Sequence, residues 1–463
     1  MSESLKTISP VDGTVYVERP YMDRVEIDAV LDRAQAAQKS WKGRSLEERA
    51  AILTAGVEKF VSMKDRIAEE LAWQMGRPIR FGAGEVGGFS ERATYMISAA
   101  KDALADIAVG EKEGFTRYIK REPLGVVFTI APWNFPYMTA VNSIVPALMA
   151  GNAVILKHAT QTHLCGETMR DAFVAAGLPA DLFQLVTVTH GLAADIIQSG
   201  RVNFVAFTGS VPAGAAIEKA ATGQFIGVGL ELGGKDPAYV RNDADVDYAA
   251  ENLVDGAMFN SGQSCCGIER IYVHEDVYDR FVEAVVKTVN GYTLGSPLDQ
   301  ETTLGPCVNA AAADFVRGQV RDAVAAGGRA LIDPATFPMD KEGTPYLAPQ
   351  VVVDVDHSMR LMTEESFGPV VGIMKVSSDE HAIELMNDSE FGLTASVWTS
   401  DEDAAVRIGD QIETGTWFMN RCDYLDPALA WTGVKNSGRG CTLSVVGYEG
   451  LTRPKSYHLR TKI

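Results

Sequence analysis

Gly125-Val126-Val127-Phe128-Thr129-Ile130 and Asn152-Ala153-Val154-Ile155-Leu156-Lys157 are short apolar runs, separated by a stretch of small and apolar residues. Runs of this length, rich in β-branched side chains, read as buried strands, and the stretch between them reads as a helix. The alternation continues. A helix is expected over 162–176, a strand at Phe183-Gln184-Leu185-Val186 and a helix near 191–198. Val202-Asn203-Phe204-Val205-Ala206-Phe207 is the next strand, and a helix follows from about 210 to 221. Short apolar strands alternating with helices predict an α/β fold, a mostly parallel sheet with helices on both faces. Ligands bind such sheets beyond the carboxyl ends of the strands.

Before these repeats, residues 8–20 read as extended chain around an Asp12-Gly13 turn. A helix is expected over 26–40. Another starts near Ser45, where Glu48 three residues on completes a capping-box pattern. Residues 63–108 are mostly helical, with an interruption at Gly76-Arg77-Pro78. The segment 112–123 reads as a hairpin strand or an exposed arm. Beyond the repeats, helices are expected at 245–260, 275–289 and 309–326, and strands at 270–273, 329–332 and 351–355. The tail from about 449 ends in alternating Tyr457, Leu459 and Thr461, an edge needing a partner.

A chain of 463 residues exceeds what one hydrophobic core usually supports, so more than one domain is expected. Forty-two basic residues against 61 acidic ones give a net charge of −19, which disfavours nucleic acid and anionic membrane as partners. Six irregularly spaced cysteines include no CxxC pair, so neither a zinc ribbon nor a disulfide scaffold is expected. The opening MSESLKTISPVDG lacks an apolar leader core, and no apolar run is long enough to span a bilayer. A soluble, cytoplasmic protein of a reducing compartment is the resulting expectation.

The chemistry concentrates in Phe259-Asn260-Ser261-Gly262-Gln263-Ser264-Cys265-Cys266. As thiolate, a cysteine adds readily to a carbonyl carbon. Taken alone, the pair reads more readily as small buried apolar residues. Five other segments accompany it: Ala131-Pro132-Trp133-Asn134-Phe135-Pro136, Phe207-Thr208-Gly209-Ser210, Glu231-Leu232-Gly233-Gly234-Lys235, Glu364-Glu365-Ser366-Phe367-Gly368-Pro369-Val370 and Gly433-Val434-Lys435-Asn436-Ser437-Gly438. In content, order and spacing the set resembles the NAD(P)-dependent aldehyde dehydrogenase superfamily over nearly the whole chain.

That resemblance implies a Rossmann-like cofactor domain from 1–101 and 124–232, an α/β catalytic domain from 233–448, and a small β-rich oligomerisation arm and tail from 102–123 and 449–463. It implies Cys265 as nucleophile, Asn134 as oxyanion donor and Glu231 as general base. It places Ile130, Trp133, Lys157, Thr160, Phe207, Gly209, Ser210, Glu365 and Phe367 at NAD or NADP, with no catalytic metal. Thr160 stands where many members carry a glutamate that clamps a ribose, which leaves coenzyme preference open. His158, where the family usually has proline, and Lys435 read as structural.

The substrate funnel is expected from Phe135, Thr139, Asn142, Phe259, Ser264, Asp423, Tyr424 and Trp431. Its aromatic collar favours a medium-sized aliphatic or aromatic aldehyde. Arg421 is the only basic candidate in this reading, so a succinate-semialdehyde type is an alternative, as is a CoA-acylating type. A homodimer or homotetramer is implied, with one subunit's tail extending a neighbour's sheet.

Overall fold

The computed structural model describes residues 3–463; residues 1 and 2 of the expected first domain lie outside the described residues. The two apolar runs form adjacent parallel strands, Val126–Ile130 and Ala153–Lys157, buried at every position. Phe183–Leu185 flanks them on one side, with Phe204–Thr208 and then Gly227–Glu231 on the other, all parallel. The strand expected from Val202 begins at Phe204. Asn203 is diverted: its Oδ1 accepts the Val126 N–H at 2.9 Å, and its own N–H donates to the Val126 carbonyl. The expected helices form at Pro136–Met149, His163–Ala175, His190–Gln198 and Val211–Ala221.

The N-terminal segment forms a hairpin of Ser4–Ile8 and Val15–Pro20, with Gly13 at φ 75° in the turn. The capping box at Ser45 and Glu48 is present and starts helix Leu46–Val61. An equivalent pair, Asp23 and Glu26, starts the preceding helix at Arg24. The interruption at Gly76-Arg77-Pro78 is real. Gly76 closes helix Lys64–Met75 at φ 82°, a left-handed angle natural to glycine, and Pro78 precedes helix Ile79–Ala103.

A second sheet of seven strands begins at Asp236–Val240 and is parallel except for its edge strand Arg329–Ala330. Both of its faces are covered by apolar clusters. The strand expected at 351–355 ends at Val353, because Asp354 takes a left-handed φ of 58°. The boundary read near 232 falls in the link between the two sheets. The span 233–448 does not stay together, however. Gly438–Arg439 returns to the first sheet as an antiparallel edge on Gly227–Glu231, and Leu443 and Tyr448 join the first core.

The arm and tail come together within one chain. Thr452–Arg460 pairs antiparallel along the whole of Phe115–Pro123 of the same chain, with Tyr118 stacked on Tyr457 at 4.6 Å between ring centroids. One side of the tail is thus occupied by its own arm; the other is the sheet's outer edge.

Gly438 lies at φ 116°, and a Cβ there would meet the Leu230 carbonyl oxygen. Gly438→Ala should therefore destabilise the protein by about 2–3 kcal/mol, read as a lower midpoint in chemical denaturation.

Candidate active site

Asn134 follows strand Val126–Ile130 and precedes helix Pro136–Met149. Its position is fixed from the helical layer. Arg77, 2% exposed, donates through Nη1 to Glu85 and through Nη2 to the Asn134 carbonyl. Its Nε donates to Asn260 Oδ1 at 3.2 Å. The other oxygen of Glu85 accepts the N–H groups of Tyr137 and Met138 at 2.9 and 3.0 Å. These are among the unpaired donors that open a helix. One buried ion pair thus ties the Asn134 turn, the helix after it and the loop before Cys265 together. The Asn134 amide donates to the Gln263 carbonyl at 3.1 Å, two residues from the thiol.

The loop carrying Cys265 is held in unusual backbone. Asn260 and Ser261 take left-handed φ values of 53° and 56°. Gly262 is required at φ 69°, since a Cβ would enter the Gly368 carbonyl. Strain of this kind costs about 1–3 kcal/mol per residue and persists where surroundings over-determine it. Here Ser261 Oγ donates to the Gly305 carbonyl and Asn260 Nδ2 to the Asn134 carbonyl.

Cys265 is half-buried and stands in the wall shared by two cavities. One, of about 300 Å³, is lined by the thiol, Glu231 and every residue expected in the substrate funnel: Phe135, Thr139, Asn142, Phe259, Ser264, Asp423, Tyr424 and Trp431. Arg421 instead stacks on Tyr424 at 3.6 Å from its ring centroid. The cation in this cavity's wall is Arg92, which sequence reading missed. Its signal was faint: Gly84, Gly88 and Arg92 recur at helical spacing, and Gly88 has Met138 where its side chain would be.

The other cavity, of about 550 Å³, lies at the carboxyl ends of the first sheet's strands. Ile130, Trp133, Asn134, Lys157, Thr160, Phe207, Gly209, Ser210, Glu365 and Phe367 all line it. Ser210 caps helix Val211–Ala221 without a side-chain bond to it, so its hydroxyl and the helix's opening N–H groups remain for a ligand. Burial pushes the Lys157 ammonium down. Glu365 is held by the Gly234 N–H at 3.0 Å, and its carboxyl is pushed up to about 7 by burial and then by Glu269. Glu269 in turn accepts from Lys235 and from the Ser366 and Phe367 N–H groups. A cation, a helix N-terminus and a carboxylate lining one cleft fit a dinucleotide.

Glu231 is pinned by Thr442 Oγ1 at 2.6 Å and Thr208 Oγ1 at 3.1 Å, while burial pushes its carboxyl up. The Cys265 thiol is pushed well up by its hydrogen bond with Cys266, by burial, and by the charges of Cys266, Glu231 and Asp236. His158 bonds the Pro136 carbonyl and Thr162, and burial pushes it down to about 3. Lys435 donates to the carbonyls of Asn387 and Ser389. Among the described residues, no group of three or more His, Cys, Asp or Glu side chains forms a metal site, and no helix is long and apolar enough to cross a membrane.

Residues 1–457 match the model of the aldehyde dehydrogenase family, and the chain belongs to it. It is 34% identical to the NADP-dependent glyceraldehyde-3-phosphate dehydrogenase of Streptococcus equinus, over 98% of this chain and 95% of that one. It is also 34% identical to succinate-semialdehyde dehydrogenase [NADP(+)] 1 of Mycobacterium tuberculosis, over 96% and 97% respectively. Among solved structures, succinic semialdehyde dehydrogenase from Streptococcus pyogenes with NADP+ superposes with a TM-score of 0.93 at 30% identity, covering 98% of this chain and all 100% of the other. The protein is thus an NAD(P)-dependent aldehyde dehydrogenase with a Rossmann-like cofactor domain and an α/β catalytic domain.

Because several groups push the Cys265 thiol up, its alkylation by iodoacetamide in the cofactor-free protein should be slow at neutral pH. By peptide mass spectrometry the rate should still be climbing beyond pH 9 rather than levelling off below it.

Proposed function

We propose that the protein oxidises a medium-sized aldehyde to the free carboxylic acid, with Cys265 as nucleophile and Glu231 as general base. The observation that carries this reading is the position of Cys265 in the common wall of the two cavities, with Glu231 lining the one it shares with substrate. A carbonyl in the smaller cavity meets the sulfur from one side, and the dinucleotide cleft opens on the other.

In this reading Cys265 loses its proton and adds to the carbonyl carbon, giving a thiohemiacetal. The Asn134 amide and the Cys265 backbone N–H stabilise the oxygen as charge develops on it. Bound dinucleotide supplies the hydride acceptor. The carbonyl then re-forms as a thioester on Cys265. Glu231 removes a proton from the water that hydrolyses it. A carboxyl raised by burial is a stronger base than an exposed one, and Thr208 and Thr442 orient it. Phe135, Phe259 and Trp431 enclose the site in apolar surface. The presence of Glu231 favours water over CoA as acyl acceptor.

Lys157 and Thr160 line the cleft together with Gln161 and His190, none of them acidic. This supports use of NADP+, whose extra phosphate an acidic residue there would repel. Six unpaired cysteines fit a cytoplasmic setting. The outer edge of Thr452–Arg460 carries backbone groups suited to a second copy, supporting a homodimer or homotetramer.

Cys265→Ala should abolish formation of reduced nicotinamide from any aldehyde, while Glu231→Gln should keep a single-turnover burst and slow the steady state by about 10²–10⁴-fold. The same absorbance assay should give a higher kcat/KM with NADP+ than with NAD+, and the acid rather than a CoA thioester when CoA is added. Sedimentation at micromolar concentration should show a dimer or tetramer; a monomer would refute the assembly.

A further inference from the structure

The substrate cavity holds a guanidinium with donors to spare. Arg92, on helix Ile79–Ala103, is buried yet lines the cavity beside Cys265 and Glu231. Its Nη1 donates to the Met138 carbonyl at 2.6 Å and, at the long limit of 3.5 Å, to Asn142 Oδ1. Its Nε and Nη2 have no hydrogen-bond partner among the described residues. Asn142 is only 2% exposed. With Oδ1 turned toward Arg92, its Nδ2 is buried without a partner.

Buried unpaired donors are uncommon in folded proteins, because each forfeits its bonds to water. Here Asn142 Nδ2 is such a donor, and Arg92 beside it leaves Nε and Nη2 unbonded though not sealed from solvent; both side chains line the cavity that contains the nucleophile. Glu91 and Asp423 also line it, but neither relieves these donors. Glu91 accepts from Tyr424 Oη at 2.6 Å, and among the described residues neither carboxyl bonds to Arg92 or Asn142. A planar fork with a neighbouring amide N–H matches a planar oxygen acceptor better than it matches alkyl, and it repels a cation.

We propose that Arg92 and Asn142 together determine specificity, for an aldehyde whose chain carries a second oxygen acceptor, either a carboxylate or an amide carbonyl, apart from the aldehyde oxygen. This inference rests on the dehydrogenase reading above and names its substrate class. It also revises the choice of substrate made from the aromatic collar alone. The collar sets the width of the cavity, and the donors set what the far part of the substrate must offer.

The test compares succinate semialdehyde, 4-acetamidobutanal, pentanal and 4-aminobutanal. At least one of the first two should exceed pentanal in kcat/KM by about tenfold or more, since a site built to hydrogen-bond a substrate rejects an analogue lacking the group. In Arg92→Lys and Asn142→Leu, each checked for an intact melting transition, the ratio of that substrate to pentanal should fall, with most of the loss in KM. Calorimetric titration with glutarate and glutaramide, which cannot turn over, should show binding to the wild type that weakens in both variants. Pentanal equal to both acceptor-bearing aldehydes, a preference for 4-aminobutanal, or an unchanged ratio in the variants would overturn the proposal. Calorimetry separates the two readings. Binding that the variants weaken, in a protein that turns over no aldehyde, would leave the acceptor site standing and refute the dehydrogenase. Turnover with no binding of either dicarbonyl probe would refute the acceptor site alone.

Discussion

The buried contact between Arg77 and Glu85 is the constraint on which the site depends. Neither side chain reaches solvent. An ion pair of this kind is a poor source of net stability, because desolvation offsets much of its attraction, yet removing one partner costs about 3–5 kcal/mol. Its value lies in what the remaining lone pairs and protons do. Glu85 caps the start of helix Pro136–Met149, and Arg77 holds the Asn134 carbonyl and the Asn260 side chain. The first sheet's loop and the second unit's cysteine loop are therefore positioned by one guanidinium that comes from neither.

A second buried network does the same on the cofactor side. Lys235 and Glu269 are paired at 2.5 Å, and Glu269 also gathers the N–H groups of Ser366 and Phe367. Phe367 adopts a left-handed φ of 54°. Glu365 is thereby turned into the cleft against Gly234, in space left open because Gly233 has no side chain. Both networks spend buried charge on holding loops in conformations they would not choose alone, and both converge on Cys265 from opposite sides.

The electrostatics of the centre are correspondingly crowded with acid. Glu231, Asp236, Glu365 and Asp423 are all pushed up by burial. Among the described residues, Arg92 is the one cation in the wall of the substrate cavity. Burial keeps the Glu231 carboxyl raised, against a smaller opposing pull from Arg92.

The sequence by itself determined the layered α/β plan, the helix caps and the identity of the chemical segments. Those features are local: a capping box, a left-handed glycine and a run of β-branched residues act through their immediate neighbours in the chain. Segments such as Ala131–Pro136 and Glu364–Val370 are short loops at the end of a strand or before one, and residues of both line the larger cavity. Tertiary structure decided what no local signal encodes. The return of Gly438–Arg439 to the first sheet needs Gly438 to meet Leu230, about two hundred residues away in the chain. The tail pairs along its own arm in a register that stacks Tyr118 on Tyr457. Arg92 reaches the wall of the thiol's cavity from a helix that packs on Pro136–Met149, with Met138 lying against Gly88. Burial of a charge is a property of the assembled core, and its unpaired donors appear only once every neighbour is in place.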